Sequence, residues 1–336
     1  MITDGLFDLQ VNGFAGVDFN DPSITPKTVD HALEAMLADG VTGCLPTIIT
    51  AHVEELEERF QALDSALAAS RLGPRMVPGY HLEGPFLNDQ PGYHGCHPRT
   101  AMSDPKMGLI DRLAAKIRRP ILLVTLAPER AGGTAFVQAL VKSGKAVAVG
   151  HSAATYTDIK LAADAGMSLS THLGNGLPAS LPKLENTLLA QLAEPRLKAC
   201  LIADGHHLRP NALGALVRLK GRDKCVLVTD AVLAAGAEPG AYRFAGMDVI
   251  SSENGSVSTS AGNGLAGSAL HLDQAVRNIV NWSIAEPSAA VLMASQQACN
   301  AIARSLNHAG ISIDPGKLEW NSGLEPKVLS TGNVTI

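Results

Sequence analysis

The chain has 336 residues, of which 46% are hydrophobic, so it can bury a large core as either two ordinary domains or one barrel. Its formal net charge of −5 comes from 27 basic and 32 acidic residues, with no run of like charge that would bind nucleic acid or an anionic membrane. Residues 1–10 do not resemble a secretion signal and no apolar run is long enough to span a bilayer, so we expect a cytoplasmic protein that binds a small molecule.

Short apolar runs rich in β-branched residues alternate with longer segments of helical periodicity, which is typical of a parallel sheet covered by helices. The runs predicted as strands are 5–12, 41–49, 76–83, 121–126, 146–151, 168–172, 199–204 and 225–230. The predicted helices are 26–39, 53–69, 104–116, 134–143, 156–165, 211–220, 268–280 and 288–306. Eight strand–helix units predict an α/β protein with a closed (β/α)8 TIM-like barrel over residues 1–310, followed by a short strand-rich tail at 311–336.

Polar residues stand where the predicted strands end, and in such barrels the carboxyl ends of the strands form the active site. These residues are Glu83, His151, His172, the pair His206 and His207, and Asp230. A carboxylate and two neutral imidazoles are the ligands that a catalytic divalent ion prefers, because they leave a position open for water, whose pKa falls towards ~7.

We therefore predict Glu83, His151 and His172 as metal ligands, although any one histidine alone is more often structural. The ion is predicted to be zinc, while iron, cobalt and manganese also suit this ligand set. The five cysteines are widely spaced and predict neither a disulfide framework nor a thiolate zinc site. Asp230 is predicted as the general acid/base, with a metal ligand or a helix cap as the alternative roles.

Other histidines are candidates for contacts with the substrate. His94 and His207 can donate hydrogen bonds to a substrate hydroxyl or to the scissile carbonyl, whose oxygen gains negative charge in the transition state. We expect His206 to point away from the substrate. His97 could form a small second site, but a loop imidazole without a nearby acid is more often part of the polar surface.

The motifs occur in the order found in N-acetylglucosamine-6-phosphate deacetylases of the amidohydrolase superfamily, which this chain resembles over about residues 5–305. They are His81-Leu82-Glu83-Gly84-Pro85-Phe86, Gly150-His151-Ser152, Thr171-His172-Leu173, Asp204-Gly205-His206-His207 and Val228-Thr229-Asp230-Ala231. The resemblance implies metal binding by Glu83, His151 and His172, and activation of the hydrolytic water by Asp230. It also implies that His94 polarises the acetyl carbonyl. The substrate pocket implied by the resemblance is lined by Asn175, Gly176 and His207 and closed by the loop at Leu265 and Gly267.

The chain departs from this family in several places. Gln10-Val11-Asn12 stands where many amidohydrolases have His-x-His, which predicts one metal ion, since amides are poor zinc ligands. The arginine that would bind the phosphate is not apparent, and Lys183 is the nearest cation. The small β-domain usual in the family is predicted to be reduced or absent, with only residues 317–336 to represent it. A homodimer is a hypothesis that follows from the resemblance.

The predicted activity is removal of acetate from an N-acetylated amino sugar, with N-acetylglucosamine-6-phosphate as the leading substrate. The alternatives are amidohydrolase reactions on an unphosphorylated amino sugar, an N-acyl amino acid or a cyclic C–N substrate such as a deaminase attacks. A sugar-binding barrel without turnover is disfavoured, because a binder needs no acid beside a metal. A metal-independent isomerase or aldolase is also disfavoured, because no lysine closes a predicted strand.

Overall fold

Eight parallel strands lie side by side in chain order in the computed structural model, which describes residues 1–262 and 264–335. They are β1 (Leu6–Val11), β2 (Val41–Ile49), β3 (Tyr80–Glu83), β4 (Ile121–Leu126), β5 (Ala146–Val149), β6 (Leu169–Ser170), β7 (Lys198–Ile202) and β8 (Cys225–Val228). Nearly all of their residues are buried, which explains why they appear in the sequence as continuous apolar runs.

The sheet closes on itself next to β8. The N–H of Asp230 donates to the carbonyl of Gln10 at 2.9 Å, and the N–H of Asn12 donates to the carbonyl of Ala231 at 2.7 Å. Neighbouring strands therefore pair around the whole circle, and the predicted (β/α)8 barrel is confirmed.

Helices follow the strands and cover the outside of the barrel. They are Pro26–Ala38, Val53–Ala69, Gly73–Met76, Met107–Ala114, Gly133–Lys142, Tyr156–Asp164, Thr187–Ala193, Pro210–Lys220, Leu272–Asn281, Pro287–Met293 and Gln296–His308. The single helix predicted over 288–306 was wrong, because the chain leaves the helical conformation at Ser295. The break leaves the carbonyl of Ala294 free to accept the N–H of Phe7 in β1 at 2.9 Å, so a tertiary hydrogen bond stabilises it. The helices Gly73–Met76 and Thr187–Ala193 were not predicted.

An antiparallel sheet of four strands is inserted after β8, and the sequence interpretation did not include it. Its strands are β9 (Gly240–Phe244), β10 (Met247–Ser251), β11 (Ser256–Thr259) and β12 (Leu265–Ser268). The N–H of Ser268 donates to the carbonyl of Asp230 at 2.9 Å, which fixes this insert to the end of β8. Its apolar residues pack into a cluster of their own, with Phe244, Val249, Val257 and Ala266 buried against Ile49.

The two ends of the chain meet in small antiparallel sheets. Ile2–Asp4 pairs with Lys317–Trp320, which pairs with Pro326–Ser330, and Ser312–Asp314 pairs with Asn333–Thr335. A strand of the tail thus pairs with the first strand of the chain. The division between barrel and tail at residue 310 stays a prediction. Ile336, the last residue of the predicted tail, lies outside the described residues. Among the described residues, no helix has both the length and the apolar composition needed to cross a bilayer.

Candidate active site

Two histidines meet a single oxygen of Glu83 at the carboxyl ends of the barrel strands. Nε2 of His172 lies 2.9 Å from Oε1 of Glu83, and Nε2 of His151 lies 3.5 Å from the same oxygen. Ligands of a tetrahedral zinc ion with bonds of about 2.1 Å stand about 3.4 Å apart, which matches the His151 distance. The 2.9 Å distance at His172 is that of a hydrogen bond to the same oxygen. The structure therefore brings together the three residues predicted as metal ligands.

The backbone is strained at the ends of three strands. His151, His172 and Asp230 have φ angles of 50°, 28° and 50°, in the left-handed region that residues other than glycine seldom adopt. Such conformations cost about 1–3 kcal/mol each and cluster at active sites, where the surrounding structure holds them. At these positions the chain turns sharply out of the strand while the side chain stays over the mouth of the barrel.

The side-chain amides of Gln10, in β1, and Asn12, just after β1, lie beside the carboxylates of Glu83 and Asp230. Nε2 of Gln10 donates to Oε2 of Glu83 at 3.0 Å and to Oδ1 of Asp230 at 3.1 Å. Nδ2 of Asn12 donates to the same oxygen of Asp230 at 2.7 Å. Gln10 thus bridges the two carboxylates, and Asn12 adds a second neutral donor to Asp230.

Burial and charge set the protonation of the two acids. Burial raises the pKa of Glu83, but hydrogen bonds from His151 and His172 outweigh it, so that the pKa lies well below its ordinary value. Burial and the neighbouring charge of Glu83 raise the pKa of Asp230. Asp230 therefore takes up a proton more readily than an exposed aspartate, as a general base requires.

His97 is buried against this cluster, so the expectation that it belongs to the polar surface was wrong. Its ring packs edge-to-face on His151 with centroids 4.5 Å apart, and Nδ1 lies 3.0 Å from Oγ1 of Thr50. One possible ligand atom from each of Glu83, His97 and His151 lies within 4.8 Å of the others. The loop after β3 folds back over the strand ends, which the sequence pattern did not reveal.

The donor set fits a divalent cation. Nδ1 of His151 lies 2.7 Å from the carbonyl of Tyr93, the second hydrogen bond that metal-binding histidines usually make. A second group, Asp39, His271 and Asp273, also lies together. There His271 is 2.8 Å from Asp39, and Arg277 is 2.6 Å from Asp273, so its charges are already paired. The group around Glu83 is therefore the better metal site.

A cavity of about 590 Å³ opens above this group, a volume suited to a small ligand. Its lining includes the predicted substrate-binding residues His94, Asn175, Gly176, His207, Leu265 and Gly267, together with Glu83, His151, His172 and Asp230. Nδ1 of His207 lies 2.6 Å from Oδ2 of Asp204, which fixes the ring at the cavity. A Cβ atom at position 176 would lie 2.5 Å from Nδ1 of His151, so Gly176 also makes room for that imidazole.

Two residues considered for substrate contact lie elsewhere. Lys183 is exposed and does not line the cavity, although Ala179, four residues earlier in the same loop, does. Nε2 of His206 lies 2.8 Å from the carbonyl of Asn254, outside the cavity, which agrees with the expectation that His206 points away.

Buried polar atoms without a hydrogen-bond partner surround the cavity. They are Oδ1 of Asn12, Nδ1 of His94, Nδ1 of His172 and Oγ1 of Thr259. Because such atoms are rarely left unpaired, they mark the positions where a ligand or water completes the site. Thr259 and Phe244 come from the insert, and sequence reasoning missed both because it assigned no structure to that segment.

No protein-family model matches the chain. It is 34% identical over 320 residues to an N-acetylgalactosamine-6-phosphate deacetylase of Escherichia coli O157:H7, covering 94% of this chain and 81% of the relative. It is 33% identical over 275 residues to an N-acetylglucosamine-6-phosphate deacetylase of Lysinibacillus sphaericus, and the match covers 82% of this chain and 69% of the relative.

The chain also resembles solved structures. One is a mutant N-acetyl-D-glucosamine-6-phosphate deacetylase from Mycobacterium smegmatis in complex with N-acetyl-D-glucosamine-6-phosphate. It matches with a TM-score of 0.84 at 28% identity, over 99% of this chain and 86% of that chain. A deacetylase of the same name from Pasteurella multocida matches with a TM-score of 0.83 at 27% identity, over 99% and 86%.

Proposed function

Because the chain belongs to the family of N-acetylglucosamine-6-phosphate and N-acetylgalactosamine-6-phosphate deacetylases, we propose that it removes acetate from an N-acetylated amino-sugar 6-phosphate. The family consists of hydrolases that act on carbon–nitrogen bonds. The observation that carries the proposal is the meeting of Glu83, His151, His172 and Asp230 at the base of one cavity. The leading substrate is N-acetylglucosamine-6-phosphate, and its galactosamine epimer is supported by the relative from E. coli O157:H7.

Glu83, His151 and His172 would hold one divalent ion, which we propose to be zinc because it accepts this mixture of oxygen and nitrogen ligands. When bound, the ion would lower the pKa of water and polarise the amide carbonyl. The proposal of a single ion is supported by Gln10, whose amide nitrogen donates to both Glu83 and Asp230 and so occupies the space between them.

Asp230 takes the proton from the hydrolytic water and then passes it to the nitrogen of the leaving amine, so that acetate and a free amino sugar result. Asn12 and Gln10 hold the carboxylate in place through Oδ1, which leaves Oδ2 directed to the reacting groups. His94 donates a hydrogen bond to the acetyl oxygen as negative charge develops there. Nδ1 of His94 is buried without a partner, which supports a contact with substrate.

Asn175, Gly176, His207, Leu265 and Gly267 would bind the sugar, since all line the cavity. We propose that Lys183, four residues after the cavity-lining Ala179 in the same loop, pairs with the phosphate as a point charge. Alternatively, a basic residue from a second copy of the chain pairs with the phosphate. The homodimer and the cytoplasmic location stay predictions.

Deacylation of an unphosphorylated amino sugar is a second candidate. Within the described residues, neither lysine nor arginine lines the cavity, and an uncharged sugar would need no such partner. The two candidates differ only in whether the phosphate contributes to catalysis.

The test is acetate release from the 6-phosphates of N-acetylglucosamine and N-acetylgalactosamine and from both unphosphorylated sugars. Asp230→Asn should reduce kcat by about 10²- to 10⁴-fold, the usual contribution of a general acid/base. The exposed Asp248→Asn serves as the matched control and should be as active as wild type. Release from the phosphates alone supports the proposal, whereas no release from any sugar by metal-loaded protein refutes the substrate assignment.

A further inference from the structure

Thr50 determines which nitrogen of His97 carries the proton. The hydroxyl of Thr50 donates its one hydrogen to the carbonyl of Glu83 at 3.2 Å. Nδ1 of His97, at 3.0 Å from the same hydroxyl oxygen, must then be the donor in that contact. Nε2 of His97 therefore carries a lone pair and cannot donate a hydrogen bond to a substrate carbonyl in this tautomer.

His97 has the environment of a metal-binding histidine. Such residues donate their second ring N–H to an oxygen of the protein, as His97 does to Thr50 and His151 does to the carbonyl of Tyr93. His97 is 4% exposed, and the ring lines the cavity beside Glu83 and His151. One ligand atom each of Glu83, His97 and His151 lies within 4.8 Å of the others.

We infer that His97 is a further ligand of the metal ion bound by Glu83, His151 and His172. The inference rests on the proposed metal-dependent function and adds a fourth protein ligand to it. It also separates two histidines of the same loop, because His94 keeps an unpaired nitrogen for the substrate while His97 faces the acid and the imidazole.

The experiment measures metal binding without substrate. His97→Gln replaces the imidazole by an amide, which is a poor zinc ligand, and His94→Gln is the matched control from the same loop. Zinc affinity is measured by competition with a chromophoric chelator, and the visible spectrum of the cobalt-loaded protein reports the number of ligands. We expect His97→Gln to weaken zinc binding on the order of 100-fold and to change the cobalt spectrum, and His94→Gln to do neither.

A second variant keeps the test decisive if His97→Gln fails to fold. Thr50→Val removes the oxygen that fixes the tautomer, and zinc affinity should fall about 10-fold, as expected for an outer partner of a ligand. Unchanged affinity and an unchanged cobalt spectrum in folded His97→Gln would overturn the inference, even if acetate release fell. Because both measurements omit the sugar, a wrong substrate assignment does not affect their outcome.

Discussion

Asp8 lies inside the barrel, two residues before Gln10, and is 1% exposed. Its carboxyl accepts hydrogen bonds from the hydroxyl of Thr229 at 2.5 Å and from the N–H groups of Gln10 and Thr229 at 3.2 and 3.3 Å. Burial nevertheless raises its pKa from 3.8 to about 7, and the charge of Asp230 adds to the increase. The folded protein therefore takes up a proton at pH values where the unfolded chain has already lost it.

This difference makes the free energy of unfolding depend on pH. Below about pH 4 the carboxyl is protonated in both states and costs nothing, whereas stability is lost as the pH rises towards about 7. The rise in the pKa from 3.8 to about 7 corresponds to a loss of unfolding free energy of at most about 4 kcal/mol. We expect Asp8→Asn to avoid this loss, because the new amide nitrogen can donate to the hydroxyl oxygen of Thr229. That hydroxyl can then donate its hydrogen to the carbonyl of Gln10, which lies 3.2 Å away.

The assay is urea unfolding of the metal-free protein followed by circular dichroism from pH 5 to pH 8. The unfolding free energy of Asp8→Asn minus that of wild type should increase by about 3 kcal/mol over this range. The exposed Asp248→Asn is the control, and its difference from wild type should stay constant. A constant difference for Asp8→Asn as well would show that Asp8 ionises normally, and the reasoning from burial would be refuted.

Three further predictions concern the active site. The pKa of Asp230 is raised and its ionised form is the base, so kcat/KM for acetate release should fall as the pH decreases, with a midpoint above 3.8. Gln10→Met removes an amide that donates to the ionised carboxylate, so it should move this midpoint to higher pH. An unmoved midpoint would contradict the role of the bridging amide. Thr259→Val should raise KM by about 5- to 30-fold at unchanged metal content, as expected for the loss of one hydrogen bond of about 1–2 kcal/mol, and steady-state kinetics with metal analysis decides this. Removal of the metal by a chelator should abolish acetate release and added zinc should restore it, whereas activity that persists in protein shown to be metal-free would exclude metal dependence.

The barrel could be predicted from the sequence because burial on both faces gives each strand a recognisable apolar run. The insert was harder to recognise, although Asn254-Gly255 is a typical turn between strands, because its strands alternate between buried and exposed residues and lack helices between them. The break near Ser295 could not be predicted, since the segment favours helix locally and the hydrogen bond from Phe7 at the break comes from a distant part of the chain.

The strand-end rule was enough to identify Glu83, His151, His172 and Asp230, because parallel strands all present their carboxyl ends at one rim. It could not place His97, which lies in a loop whose path depends on contacts such as the one with Thr50. Nor could it show that Gln10 bridges two acids, since that role depends on the distance across the closed barrel.

The predicted metal ligands stand at the ends of the barrel strands, whereas the insert supplies part of the cavity wall. The insert also has an apolar cluster separate from the main core. A substitution at a cavity-facing position such as Thr259 therefore need not disturb the strands that hold Glu83 and His172. The part of the cavity wall that belongs to this segment can therefore change while the strand ends stay the same, as loops on a rigid scaffold generally permit.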